Sequence, residues 1–145
     1  MKPAPAPLSL DFPAEANSLV AARESVRRHL EEARLDETAV YAVDLALEEL
    51  VGNTIRYGYG AQSGGSIRVE VSIARDSVRV SISDDGGPFD PTRQPEPERP
   101  RDLESAPVGG RGVSMVRRLA RAMHYRRRPE GNWTEVEVPR AAPSG

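Results

Sequence analysis

The chain has 145 residues, a formal net charge of −2 and no cysteine. That length suits one domain around a single core, and the charge balance argues against a general nucleic-acid coat. The lack of cysteine excludes disulfides, thiolate metal sites and thiol nucleophiles together.

Met1 to Pro7 is rich in proline and alanine and lacks the apolar run of a signal peptide. No stretch is long and apolar enough to span a membrane, so a cytoplasmic protein with no membrane partner is expected. Residues 1–7 and 141–145 read as flexible ends around a single domain at 8–140.

Leu8 to Phe12 alternates apolar and polar residues, which predicts a short strand. From Pro13 to about Arg34 the pattern is helical, with Ala16, Leu19, Val20, Val26 and Leu30 on one face. Asp36 is a suitable N-cap for a second helix running to about Tyr57. Its apolar positions include Val40, Val43, Leu47, Leu50, Val51 and Ile55. Gly58, Gly60 and Ser63-Gly64-Gly65 end that helix in a turn.

Ile67, Val69, Val71 and Ile73 then alternate strictly with polar residues, as do Val78, Val80 and Ile82 after a turn at Arg75-Asp76. This is a β-hairpin with one buried face. Pro91 to Pro107 holds five prolines and many charges, which excludes a regular helix or a central strand. A loop of that length inside a compact domain reads as a lid at about 91–108. Gly109-Gly110-Arg111-Gly112 opens a helix through about Ala122. Tyr125 to Arg128 and Trp133 to Val138 form a closing hairpin around Glu130-Gly131-Asn132. The helices are gathered rather than alternating with single strands. The expected fold class is therefore α+β, a two-layer sandwich with a mostly antiparallel sheet covered on one face by helices.

Three features carry chemistry. Glu49 and Asn53 stand at i, i+4 on the second helix and share a face. Asn offers a neutral oxygen suited to hydrated Mg²⁺, and Glu can accept a proton. Asp84-Asp85-Gly86-Gly87-Pro88-Phe89-Asp90 ends a strand. A carboxylate there can accept from an exocyclic amine such as that of adenine, and glycine lets the backbone approach a flat base. The glycines before the last helix lead into unpaired N–H groups at the positive end of a helix dipole, a phosphate site. Taken singly, plainer readings have the better claim: a solvated helix face, a turn and a glycine hinge. Neither the P-loop nor the dinucleotide fingerprint fits the glycine run. In this order, however, the three supply the parts of a nucleotide phosphoryl-transfer site.

Leu47-Glu48-Glu49-Leu50-Val51-Gly52-Asn53 resembles the N box of the GHKL ATPase superfamily. The run from Asp84 to Pro91 resembles its G1 box, with wording similar to the anti-sigma-factor serine kinases of the RsbW/SpoIIAB-like group. Gly109 to Arg117 resembles the G2 box of that group.

The resemblance spans nearly the whole chain and implies a Bergerat fold with ATP and Mg²⁺ as cofactors. It implies that Asn53 holds Mg²⁺ and that Glu49 is the general base for a partner's serine hydroxyl. Asp84 would bind the adenine amine with Gly86 beside the base. Gly110 and Gly112 would let the lid approach the phosphates, Arg111 would contribute to nucleotide binding, and Thr134 would help hold adenine. The implied partners are a sigma factor, a STAS-domain anti-sigma antagonist and a second copy of the chain. Tyr57, Pro88 and Ser114 depart from the wider pattern without removing a catalytic group.

The alternative is a nucleotide-dependent protein-binding module that transfers no phosphate. A detached histidine-kinase ATPase domain is a weaker reading, since no phosphoacceptor helix pair is present. His29 reads as a solvated helix residue, isolated His124 makes no metal pair, and Trp133 reads as a packing residue. Seven arginines and no acid lie between Arg111 and Arg128. With few stacking aromatics, they read as balancing nucleotide phosphates and facing an acidic partner rather than nucleic acid.

Overall fold

The computed structural model describes residues 5–61, 63–93 and 112–140. Five strands form one antiparallel sheet: β1 (Leu8–Pro13), β2 (Ser66–Ile73), β3 (Ser77–Asp84), β4 (Ala122–Arg128) and β5 (Gly131–Pro139). Their order across the sheet is β1-β2-β3-β5-β4, so β5 enters between β3 and β4. The helices are α1 (Ala16–Glu32), α2 (Glu37–Ala46), α3 (Gly52–Tyr57) and α4 (Gly112–Leu119), with a π-helical turn at Leu47–Val51 joining α2 to α3.

The two-residue alternation of the hairpin has the expected consequence. Ile67, Val69, Val71, Ile73, Val78, Val80 and Ile82 are all buried, and their polar neighbours turn outward. Val136 and Val138 continue the layer on β5. Leu19, Val26, Leu30, Val43, Leu47, Leu50 and Val51 from the helices close over it. Each such side chain contributes about 1.5–3 kcal/mol of burial, which fixes the helical layer on one face. The turn at Arg75-Asp76 is closed by Ala74 N–H donating to the Ser77 carbonyl at 2.8 Å.

Four local expectations are corrected. Val20 is 56% exposed and Ala16 is exposed too, while Ala22 joins the buried stripe. Positions 19, 22, 26 and 30 lie along one line of a 3.6-residue helix, whereas position 20 is turned about 100° away. The second helix is not uniformly α: its π turn covers Leu47–Val51. The last helix stops at Leu119 rather than near Ala122, because Arg121 N–H already donates to the Glu137 carbonyl of β5 at 2.7 Å. The closing turn is Pro129-Glu130, and Asn132 belongs to β5, paired across to Asp84. Of the expected lid at 91–108, residues 94–108 lie outside the described residues, as do Gly109, Gly110, Arg111 and the tail 141–145. Among the described residues, no helix is long and apolar enough to cross a membrane.

Candidate nucleotide site

The π turn delivers Glu49. Turns of this kind inside α-helices recur at functional sites because one extra residue re-aims the side chains. Glu49 is half-buried, and its Oε2 is fully buried with no hydrogen-bond partner among the described residues. Burial, reinforced by Glu48 and opposed by Arg56, raises its carboxyl above the usual glutamate range. A carboxylate with an unused buried oxygen is costly unless something else satisfies it. Gly112, the first residue of α4, lies against this carboxyl so closely that a Cβ built there would overlap it. The N-terminus of α4, the positive end of its dipole, therefore faces the buried carboxylate, and only glycine allows the approach.

Asn53, one turn further on in α3, is fully buried. Its amide nitrogen donates to the Pro91 carbonyl at 3.4 Å, tying the N-box helix to the segment that follows β3. Its Oδ1 accepts from Arg56 Nη2 at 2.8 Å. This oxygen has the hard, neutral chemistry that Mg²⁺ accepts when phosphates and waters complete its shell. Among the described residues, no group of three His, Asp or Glu side chains forms a metal cage. The donor set fits, with Arg56 standing where the cation would approach.

Asp84 ends β3 and is 7% exposed. Burial raises its carboxyl, against bonds from Asn132 and the Gly86 N–H that lower it. Both of those bonds fall on Oδ1, each at 2.9 Å. Gly86 is buried, and a Cβ there would press on the Gly58 carbonyl and the Tyr59 ring. Tyr59 in turn donates to Asp85 Oδ1 at 2.9 Å. Thr134 is buried on the inner face of β5, opposite Ile82 and two residues beyond Asn132. At the mouth, the ring of Tyr57 meets Phe89 at 6.4 Å. Arg117 of α4 donates to the Thr92 carbonyl.

Contacts thus join the three sequence boxes. Gly112 meets Glu49, Asn53 reaches Pro91, and Gly86 packs on the residues that follow α3. Gly110 and Arg111 lie outside the described residues.

The arginine run is not one patch. Arg121 lies near Asp76 and Glu137, Arg127 bonds the Gly86 carbonyl, and Arg126 and Arg128 flank Trp133. Neighbouring β4 residues alternate across the sheet, which scatters them. Trp133 therefore packs under arginines on the outer face, not in the core. His29 is half-buried with a buried, unpartnered Nε2, rather than solvated.

Sequence reasoning missed Arg56, Tyr59 and Asn132. Strand parity offered a signal for Asn132, because residues 132, 134, 136 and 138 face inward together. A polar side chain at that parity, beside a strand-end carboxylate, is a buried partner rather than a turn residue.

The family profile described as histidine kinase-like ATPase domain matches residues 12–138. The serine/threonine-protein kinase BtrW of Bordetella bronchiseptica is 32% identical over 100 residues, covering 69% of this chain and 68% of that protein. The anti-sigma F factor of Clostridium beijerinckii is 31% identical over 137 residues, covering 90% and 91%. The crystal structure of the RsbU and RsbW domains of a Mycobacterium tuberculosis protein superposes with a TM-score of 0.67 at 22% identity. That match covers 95% of this chain and 34% of the other, so the present chain spans about a third of it. At that identity the likeness speaks for the fold.

Proposed function

The chain belongs to the histidine kinase-like ATPase domain family, and from that premise we propose that it is an ATP-dependent protein-serine kinase that also sequesters a sigma factor. The observation that carries the kinase reading is the buried, unpartnered Oε2 of Glu49 beside the N-terminus of α4. An acceptor held out of water, with its carboxyl raised above the usual glutamate range, is what a general base for a hydroxyl requires. The serine oxygen of the partner attacks the γ-phosphorus of ATP, its proton passes to Glu49, and ADP leaves. Asp84 reads adenine, with Gly86 close to the base and Thr134 nearby. Gly110, Arg111 and Gly112 would meet the phosphates, as the G2-box resemblance implies. Asn53 would hold Mg²⁺, which supplies charge neutralisation on the phosphates when bound.

The names of BtrW and the anti-sigma F factor support the two halves of the reading. The substrate is then a STAS-domain antagonist, and the competing partner a sigma factor, in a cytoplasmic bacterial circuit with the kinase as a homodimer. The test is calorimetry of ATP with and without Mg²⁺, followed by transfer to a STAS-domain partner. Glu49→Gln should bind ATP and transfer nothing; normal transfer by that variant would remove Glu49 as the base. Arg56 on the Asn53 oxygen favours a second reading, a nucleotide-gated binding module. Tight Mg²⁺-dependent ATP binding with no transfer to any STAS partner would select it.

A further inference from the structure

Asn132 is the most heavily used side chain near the proposed adenine site. It is 2% exposed and pairs with Asp84 across β3 and β5. Its amide nitrogen donates to Asp84 Oδ1 and to the Gly87 carbonyl, both at 2.9 Å. Its oxygen accepts from Phe89 N–H at 3.2 Å, the Tyr125 hydroxyl at 2.5 Å and Arg127 Nη1 at 3.3 Å. An amide has two donors on nitrogen and acceptor lone pairs on oxygen, so every donor is used and only one orientation satisfies the surroundings. Arg127 also donates to the Gly86 carbonyl at 2.7 Å, so β4 holds the same loop from a second point.

The consequence falls on Asp84. Its Oδ1 receives Gly86 N–H and the Asn132 amide, and among the described residues no hydrogen bond reaches Oδ2. We propose that Asn132 is a positioning residue that makes the site selective for 6-amino over 6-oxo purine nucleotides, by occupying Asp84 Oδ1 with a donor and leaving Oδ2 as the acceptor. A 6-amino group donates to such an oxygen. A 6-oxo group presents a second acceptor and is repelled, unless the carboxyl carries a proton. Asn132 offers Asp84 donors only, so nothing beside it shares a proton. An aspartate in its place would set two carboxyls within hydrogen-bond distance, where both cannot ionise and one proton is shared. That proton lies between the two carboxyls on the Oδ1 side, and loss of the amide removes the donors that fix the Asp84 carboxyl and the Gly87 carbonyl.

This inference rests on the nucleotide reading, and the experiment separates the two. Calorimetry compares ATP with inosine triphosphate on the wild type, Asn132→Asp and Tyr125→Phe, with thermal melts alongside. The wild type should prefer ATP by a factor on the order of 10–100. Asn132→Asp should bring that ratio to about unity by weakening ATP, because the Asp84 carboxyl is no longer held in place, while inosine triphosphate changes little. Tyr125→Phe removes only the hydroxyl that steadies Asn132. It should lower the ratio about two- to threefold and cost only a few degrees in melting temperature, which keeps the test valid if Asn132→Asp fails to fold. If the variants weaken both nucleotides equally and keep the wild-type ratio, Asn132 merely holds the loop and the proposal falls. A wild type that binds neither nucleotide overturns the nucleotide reading, and this inference with it.

Discussion

Arg56→Ala should tighten binding of Mg²⁺-loaded ATP. Arg56 Nη2 donates to Asn53 Oδ1 at 2.8 Å, the oxygen proposed to meet the metal, so the guanidinium must leave before a cation arrives. A hydrogen bond with one charged partner is worth about 1.5–3 kcal/mol net when shielded. Arg56 is exposed, so water replaces part of that and roughly 1 kcal/mol remains. Staying in place costs more: a divalent cation about 4 Å from the guanidinium meets roughly 2 kcal/mol of repulsion even at the permittivity of water. Displacement is therefore the cheaper route, and its cost disappears in the variant. The expected gain is about fivefold in affinity for ATP at millimolar Mg²⁺, with no gain for ATP in chelator. Arg56→Lys, which keeps the charge but loses the planar fork, should fall between. Calorimetry with and without the metal reads both numbers. If Arg56→Ala instead binds ATP tenfold more weakly in Mg²⁺, the guanidinium is a phosphate ligand and the reasoning is wrong.

Three further outcomes follow from the geometry. Gly112→Ala places a methyl where the Glu49 carboxyl lies. Phosphoryl transfer should drop about a hundredfold while ATP binding changes less, in a single-turnover assay; unchanged transfer would separate α4 from the base. Because burial raises the Glu49 carboxyl and the proposed base must be ionised, the transfer rate should rise with pH through a midpoint above the ordinary value of 4.5. That midpoint should climb further in Arg56→Ala, since Arg56 opposes the shift. Asp44 is the third case. Burial raises its carboxyl, but Arg23 at 2.9 Å and Arg27 at 2.8 Å outweigh this and leave it below the ordinary 3.8. A depressed folded value means that Asp44 stabilises the fold above pH 3.8 and loses that effect as pH falls through its folded value. Asp44→Asn should therefore lower the melting temperature by about 3–5 °C at pH 7, and the gap should close below about pH 4.

The hairpin of β2 and β3 was legible because Ile67 to Ile82 alternate with a period of two, and that period is itself the packing rule. The register of the buried helical stripe was less so. Val20 is as apolar as Val26, and only the angle around the axis separates them. The boxes around Glu49, Asn53 and Asp84 were legible as residue types at fixed spacing. What occupies the Asn53 oxygen was not, because Arg56 reaches it through a rotamer that no pattern encodes. The π turn was hidden for a related reason, since one extra residue per turn leaves Leu47, Leu50 and Val51 buried under either assignment. The sequence reads Asn132 as part of a turn because Gly131 is a common turn residue. In the structure Gly131 has φ 152°, and a Cβ there would strike the Asp84 carbonyl, so the glycine marks close strand contact.

The entry of β5 between β3 and β4 has a consequence for biosynthesis. Asp84 leaves the ribosome 48 residues before Asn132, which at 5–20 residues per second is a delay of roughly 2–10 s. Throughout that interval the middle of the sheet is an open edge, with Val78, Val80 and Ile82 beside it. The strand that closes the edge also completes the proposed base-reading site. A nascent chain therefore acquires its central strand and its capacity to recognise nucleotide in the same event, and free ATP in the cell can favour only the finished sheet.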